Sequence, residues 1–146
     1  MAFGVNDGFE DGVAPQVYAD LLRGQIERLR RSAPGASLLI LGAPEGLKSG
    51  SGGCGADGSR AAPASLAVVR DVQRRVAGET GVAFWDWYGR MGGDCSAERL
   101  ATLPEPYMRP DRVHFTSVGA DWIGGVLSED LSGAYDRWKT AKGEAD

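Results

Sequence analysis

Two short apolar runs decide what this chain can build. Ser37–Leu41 (SLLIL) and Val82–Trp85 carry apolar residues at consecutive positions instead of at every second one. That pattern fits strands buried on both faces, as in a parallel sheet covered by helices. A helical stripe precedes each run. Between Pro15 and about Arg31, Val17, Leu21, Leu22, Ile26 and Leu29 recur at helical spacing, with Arg23, Glu27, Arg28 and Arg30 opposite, and Pro34-Gly35 stops the helix. From about Pro63 to Thr80, Leu66, Val69, Val72 and Val76 mark one face of a second helix, closed by Gly81. Met1–Val5 is apolar and runs into Asn6-Asp7-Gly8, which reads as a strand ending in a polar turn. A last helix starts near Ser117 and carries Trp122, Val126 and Leu131. The order β-α-β-α-β-loop-α predicts an α/β fold with right-handed crossovers.

The intervening stretches read as irregular. Glu45–Ala62 holds Gly46, Gly50, Gly52, Gly53, Gly55 and Gly58, and is expected to be a loop; Tyr88–Gly93 and Pro104–Pro110 read the same way. A length of 146 residues fits one domain, assigned to residues 1–138, with KTAKGEAD at 139–146 as a polar tail expected to fray. Sixteen Lys and Arg against twenty Asp and Glu, net −4, argue against nucleic acid as a partner. One His and two Cys cannot make a four-ligand zinc site, so no metal is expected. No run reaches the ~18 apolar residues a membrane span requires. The first residues have neither the basic nor the apolar region of a signal peptide, so export is expected only if a longer parent carries one. Gly42–Ser49 departs from a phosphate-binding loop at Leu47, where glycine is needed, and no helix follows it.

In an open α/β sheet, ligands bind beyond the carboxyl ends of the strands. Those ends carry Asn6-Asp7, Pro44-Glu45 and Asp86-Trp87, and Asp111-Arg112-Val113-His114 stands just before the last helix. An Asp three residues before a His accepts from one ring nitrogen, fixes the tautomer and leaves the other nitrogen free as a general base. Alone, the same spacing also describes a surface His beside a carboxylate. Trp87, Tyr88 and Phe115 are candidate walls for a sugar or an acyl group. Trp122 is expected in the core, and Trp138 at a helix end lying on the body. Cys54 and Cys95 fall in loops at one end of the sheet, either as a disulfide or as two free thiols.

Taken together, Gly4-Val5-Asn6-Asp7 and Asp111-x-x-His114-Phe115-Thr116-x-x-Gly119 resemble two conserved blocks of the SGNH (GDSL-type) hydrolases. Phe84–Tyr88 and Met91-Gly92-Gly93 are similar to the linker of a bacterial branch near the carbohydrate O-acetylesterases. The resemblance implies the three-layer α/β/α, flavodoxin-like SGNH fold, here truncated to about three parallel strands, with no cofactor. It makes His114 the catalytic base, Asp111 its orienting carboxylate, Asn6 an oxyanion donor and Gly4 the residue that lets the backbone pass close to the substrate. The implied substrate is an acylated or acetylated small molecule or glycan. The family's Gly-Asp-Ser nucleophile block is missing from its place, and the one near match, Gly93-Asp94-Cys95-Ser96, lies in the loop after the third strand. The chain therefore reads as the C-terminal part of a serine ester hydrolase, inactive alone. The alternatives are a non-catalytic carbohydrate-binding module of that fold, or an assembly part whose missing strands come from another chain. The usual strand order 2-1-3-4-5 would leave strands 3-4-5 contiguous. Ala2–Val5 then becomes an exposed edge, through which Met1–Val5 is expected to self-associate.

Overall fold

A computed structural model describes residues 1–143. Its sheet is small. Strands β1 (Leu39–Leu41) and β4 (Ala83–Trp85) pair in parallel, with Leu39 opposite Ala83 and Leu41 opposite Trp85. Ala2 adds a parallel bridge to Leu41 on the other side of β1, and Leu41 N–H donates to the Met1 carbonyl at 2.8 Å. The order is thus the N-terminal segment, β1, β4, as expected for three contiguous parallel strands.

Helices cover both faces. Helix α2 (Pro15–Ser32) and helix α3 (Ala64–Thr80) bury Leu22, Ile26, Leu66, Val69, Val72 and Val76 against Ile40. On the other face α6 (Ser117–Lys142) lays Ile123 and Val126 over Leu39, Leu41 and Trp85. Successive side chains from Leu38 to Leu41 alternate between the two clusters, so this stretch is apolar without alternation because helices cover both faces. No described helix is long and apolar enough to cross a bilayer.

Several expectations are corrected. The first strand is reduced to the bridge at Ala2, because Gly4 turns the chain at φ 110° and Val5–Phe9 coils into the short helix α1. A Cβ on Gly4 would lie 2.6 Å from Gln73 Nε2, so only glycine passes there. Asn6 and Asp7 therefore sit on a helical turn. The glycine-rich stretch expected to be a loop contains an antiparallel ribbon, β2 (Lys48–Cys54) with β3 (Arg60–Ala61). Its side chains are exposed from Lys48 to Gly53, so no apolar alternation announces it.

The stretch Tyr88–Gly93, expected to be irregular, overlaps the short helix α4 (Trp87–Arg90), and α5 (Ser96–Ala101) follows before Pro104–Pro110. Of the apolar positions read on α2, Leu22 and Ile26 are buried, but Val17 and Leu21 face solvent and Tyr18 and Ala19 complete the inner face. Helix α6 runs through Trp138 to Lys142, and residues 144–146 of the expected tail lie outside the described residues. Trp138 does not lie on the body; it is half exposed and stacks on Tyr135 of its own helix. Trp122 packs against Tyr107 at the border of the second cluster.

Candidate active site

The carboxyl ends of the strands open into a cleft of about 430 Å³ lined by Phe3, Gly4, Asn6, Pro44, Trp87, His114 and Phe115, among others. Asn6 arrives from the N-terminal turn and His114 from the loop before α6, at opposite ends of the sequence. Three local structures aim them.

The first is the turn carrying Asp111 and His114. Asp111 Oδ1 accepts the backbone N–H groups of Val113 and His114 at 2.9 and 3.0 Å, while Oδ2 lies 2.9 Å from His114 Nδ1. One oxygen closes the turn and the other orients the ring. With Nδ1–H donating to the carboxylate, Nε2 carries the lone pair of a general base. Burial pulls the Asp111 carboxyl up, but the two backbone donors and the His114 ring outweigh it and lower it from 3.8 to about 2. Because the folded value is depressed, the stabilisation is present above the ordinary value of 3.8 and is lost as pH falls through about 2. In urea unfolding followed across that interval, the wild type should lose more stability than Asp111→Asn. Parallel curves would contradict the ion-paired turn.

The second structure holds the Gly4 turn. Buried Gln73 donates to the Phe3 carbonyl at 2.9 Å and to Tyr18 Oη at 3.2 Å, and accepts from Ala43 N–H at 2.9 Å. One amide thus fastens the loop before Asn6 to the end of β1. Sequence reasoning missed Gln73. The only signal is a polar residue inside the apolar stripe of α3.

The third is the floor and wall. Trp87 and Phe115 pack as a tilted pair with centroids 5.7 Å apart, and Trp85 meets Trp87 at 6.0 Å. Beyond them the cleft continues into an apolar groove of about 320 Å³ along Ala120, Ile123, Gly124 and Leu127 of α6. At the start of that helix Gly119 is obligatory, since a Cβ there would fall 1.9 Å from the Tyr107 carbonyl oxygen. Thr116 caps the helix by accepting from Gly119 N–H at 3.1 Å.

Tyr88 takes no part in the wall. Its hydroxyl bonds Asp94, and the Arg70 guanidinium lies over its ring at 4.0 Å. Cys54 and Cys95 form a disulfide. Ser96 is buried with its hydroxyl donating to Glu45. The Gly93–Ser96 loop therefore offers no nucleophile, and no Ser, Thr or Cys is among the residues lining the cleft. Among the described residues, no His, Cys, Asp and Glu side chains group into a metal site.

A model of the GDSL-like lipase/acylhydrolase family matches residues 1–122. A solved peptidoglycan O-acetylesterase superposes with a TM-score of 0.80 at 31% identity, over 91% of this chain and 36% of that one. The esterase domain of the ORF1 protein from the zebrafish ZfL2-1 retrotransposon follows at a TM-score of 0.56 and 18% identity, over 89% of this chain and 65% of its own. A lipase/acylhydrolase from Enterococcus faecalis gives 0.53 and 15%, over 91% and 60%. The last two likenesses concern the fold alone. This chain thus spans little more than a third of the length of the peptidoglycan O-acetylesterase. No curated protein matches it.

Proposed function

The chain belongs to the GDSL-like lipase/acylhydrolase family, and we propose that it supplies the base, its orienting carboxylate and an oxyanion donor of a serine ester hydrolase. The observation that carries this reading is the Asp111–His114 contact of 2.9 Å on a cleft that Asn6 also lines. In the complete site a serine hydroxyl attacks the ester carbonyl while His114 Nε2 takes its proton. Asp111 stabilises the resulting imidazolium, and the Asn6 amide donates to the tetrahedral oxyanion. The same proton then passes to the departing alcohol. Water repeats the sequence on the acyl-enzyme, releasing the acid and restoring the serine.

The serine must come from polypeptide other than these 146 residues, because the cleft lining holds no hydroxyl or thiol. The outer edge of the Ala2 segment is unpaired among the described residues and is where a complementing strand fits. Self-association through Met1–Val5 would compete for that edge. The substrate class is an acyl or acetyl ester of a carbohydrate or lipid. The peptidoglycan O-acetylesterase at 31% identity favours an acetylated glycan, and the aromatic wall of Trp87 and Phe115 suits a sugar face. The absence of a nucleophile from the cleft lining equally favours a second reading, a non-catalytic carbohydrate-binding module.

An assay on p-nitrophenyl acetate separates the two. The chain alone should hydrolyse the ester at the background rate. Joined to a segment bearing the family's Gly-Asp-Ser block, it should turn over in a His114-dependent way. Binding of acetylated glycan by the chain alone, with no turnover after complementation, would replace the hydrolase reading by the binding module.

A further inference from the structure

Two non-glycine residues among those described hold a left-handed backbone: Cys95 at φ 59° and Arg112 at φ 58°. Such conformations are unusual for residues with a Cβ and persist where surrounding structure fixes them. Both lie on one connected unit. Cys95 is the N-cap of α5 and is bonded to Cys54. Buried Glu45 accepts from Cys95 N–H at 2.7 Å, Ala97 N–H at 2.8 Å and Ser96 Oγ at 3.2 Å, fixing the first turn of α5. In that same first turn Glu98 meets Arg112 through Nε–Oε2 at 2.8 Å and Nη2–Oε1 at 3.1 Å, with both side chains mostly buried.

Arg112 is also the residue on which the dyad turn pivots. Its left-handed backbone brings the Val113 and His114 N–H groups back onto Asp111 Oδ1. Its own N–H donates to Arg109 O at 2.9 Å, and its carbonyl accepts from Leu47 N–H at 3.0 Å. The remaining guanidinium nitrogen donates to the Pro110 carbonyl of the same turn. Every nitrogen of the fork is engaged, and Arg112 is not among the residues lining the cleft.

We propose that the Arg112–Glu98 pair is a positioning device that holds the turn in which Asp111 orients His114, with α5 as its rigid abutment. A bidentate guanidinium–carboxylate contact fixes direction as well as distance. It therefore holds the guanidinium, and with it the Arg112 backbone, where a single flexible contact would not. Glu98 can act in this way because disulfide and buried carboxylate immobilise the helix that carries it. The inference rests on the hydrolase reading, in which the tautomer of His114 matters.

The chain has a single histidine, so the ring nitrogen-15 shifts of the intact protein report that tautomer without assignment ambiguity. In the neutral imidazole the wild type should show the Nδ1–H form. Glu98→Gln and Arg112→Ala should each lose at least half of it to the Nε2–H form that free imidazole favours. Arg112→Gly should keep more of it than Arg112→Ala, because glycine takes the left-handed backbone unaided. Amide spectra establish that each variant is folded, and Glu98→Gln, which keeps the shape of the side chain, serves if Arg112→Ala does not fold. An Nδ1–H signature unchanged from wild type in folded Glu98→Gln, and in Arg112→Ala where it folds, would overturn the positioning role and leave the hydrolase reading standing. An Nε2–H wild type would overturn both.

Discussion

His114→Ala in the serine-complemented protein is expected to lower kcat/KM by roughly four orders of magnitude or more, the scale on which one member of a catalytic triad acts. Without the imidazole the serine stays protonated and the alcohol leaves without a proton donor. Asp111→Asn should cost about as much, because an amide cannot hold the Nδ1–H tautomer and does not stabilise the imidazolium. The double substitution should then add little to either single one, since base and orienting group act as a unit. Asn6→Ala is expected to cost about 10²–10³, the usual effect of losing one oxyanion donor. Its loss should fall on kcat, with KM nearly constant, because the oxyanion exists only beyond the ground state. Steady-state kinetics on p-nitrophenyl acetate read all four variants. A His114→Ala enzyme within tenfold of wild type would mean that the 2.9 Å contact with Asp111 is a surface ion pair and nothing more.

How much of this was legible in the sequence depends on the range of the interaction. The apolar stripe of α3 predicts its buried face because Leu66, Val69, Val72 and Val76 all meet the same sheet. The Asp111–His114 contact is readable because a single turn makes it. On α2 the reading by spacing selects Val17 and Leu21, which are exposed, since counting apolar positions cannot choose between two overlapping stripes. The β2–β3 ribbon carries no pattern, because its side chains face water on both sides and its order comes from the ladder and from Cys54. Helix α5 is set by Glu45, a residue far away in sequence, so no local signal announces its start. Gln73 breaks an apolar stripe for a reason visible only once the Gly4 turn and the end of β1 lie on either side of it. What propensity and spacing miss here is what long-range polar contacts hold, and those contacts surround the cleft.

Reduction of the Cys54–Cys95 disulfide should be the largest single loss of stability in the chain. The bond joins residues at a sequence separation of 41, closing a loop that contains β3, α3, β4 and α4, and loop-closure entropy for that length corresponds to roughly 4 kcal/mol. For a chain of this size that is a fall in Tm of about 10–15 °C. The loss is concentrated in the native state as well. The ribbon of β2 and β3 is exposed along most of its length, and Cys54 is the one residue of β2 that reaches the second apolar cluster. Cut from Cys95, the ribbon keeps its short ladder and little else, so limited proteolysis should nick residues 48–61 first. At the other end Cys95 holds a left-handed backbone at φ 59°, so Cys54→Ala with Cys95→Gly should melt higher than Cys54→Ala with Cys95→Ala. The separation between those two double variants measures the backbone strain apart from the cross-link. Thermal melts with and without reductant, together with the two variants, test the argument. A Tm that reductant leaves unchanged in a protein shown to be fully reduced would mean that Glu45 and the Arg112–Glu98 pair hold α5 without help from the bond.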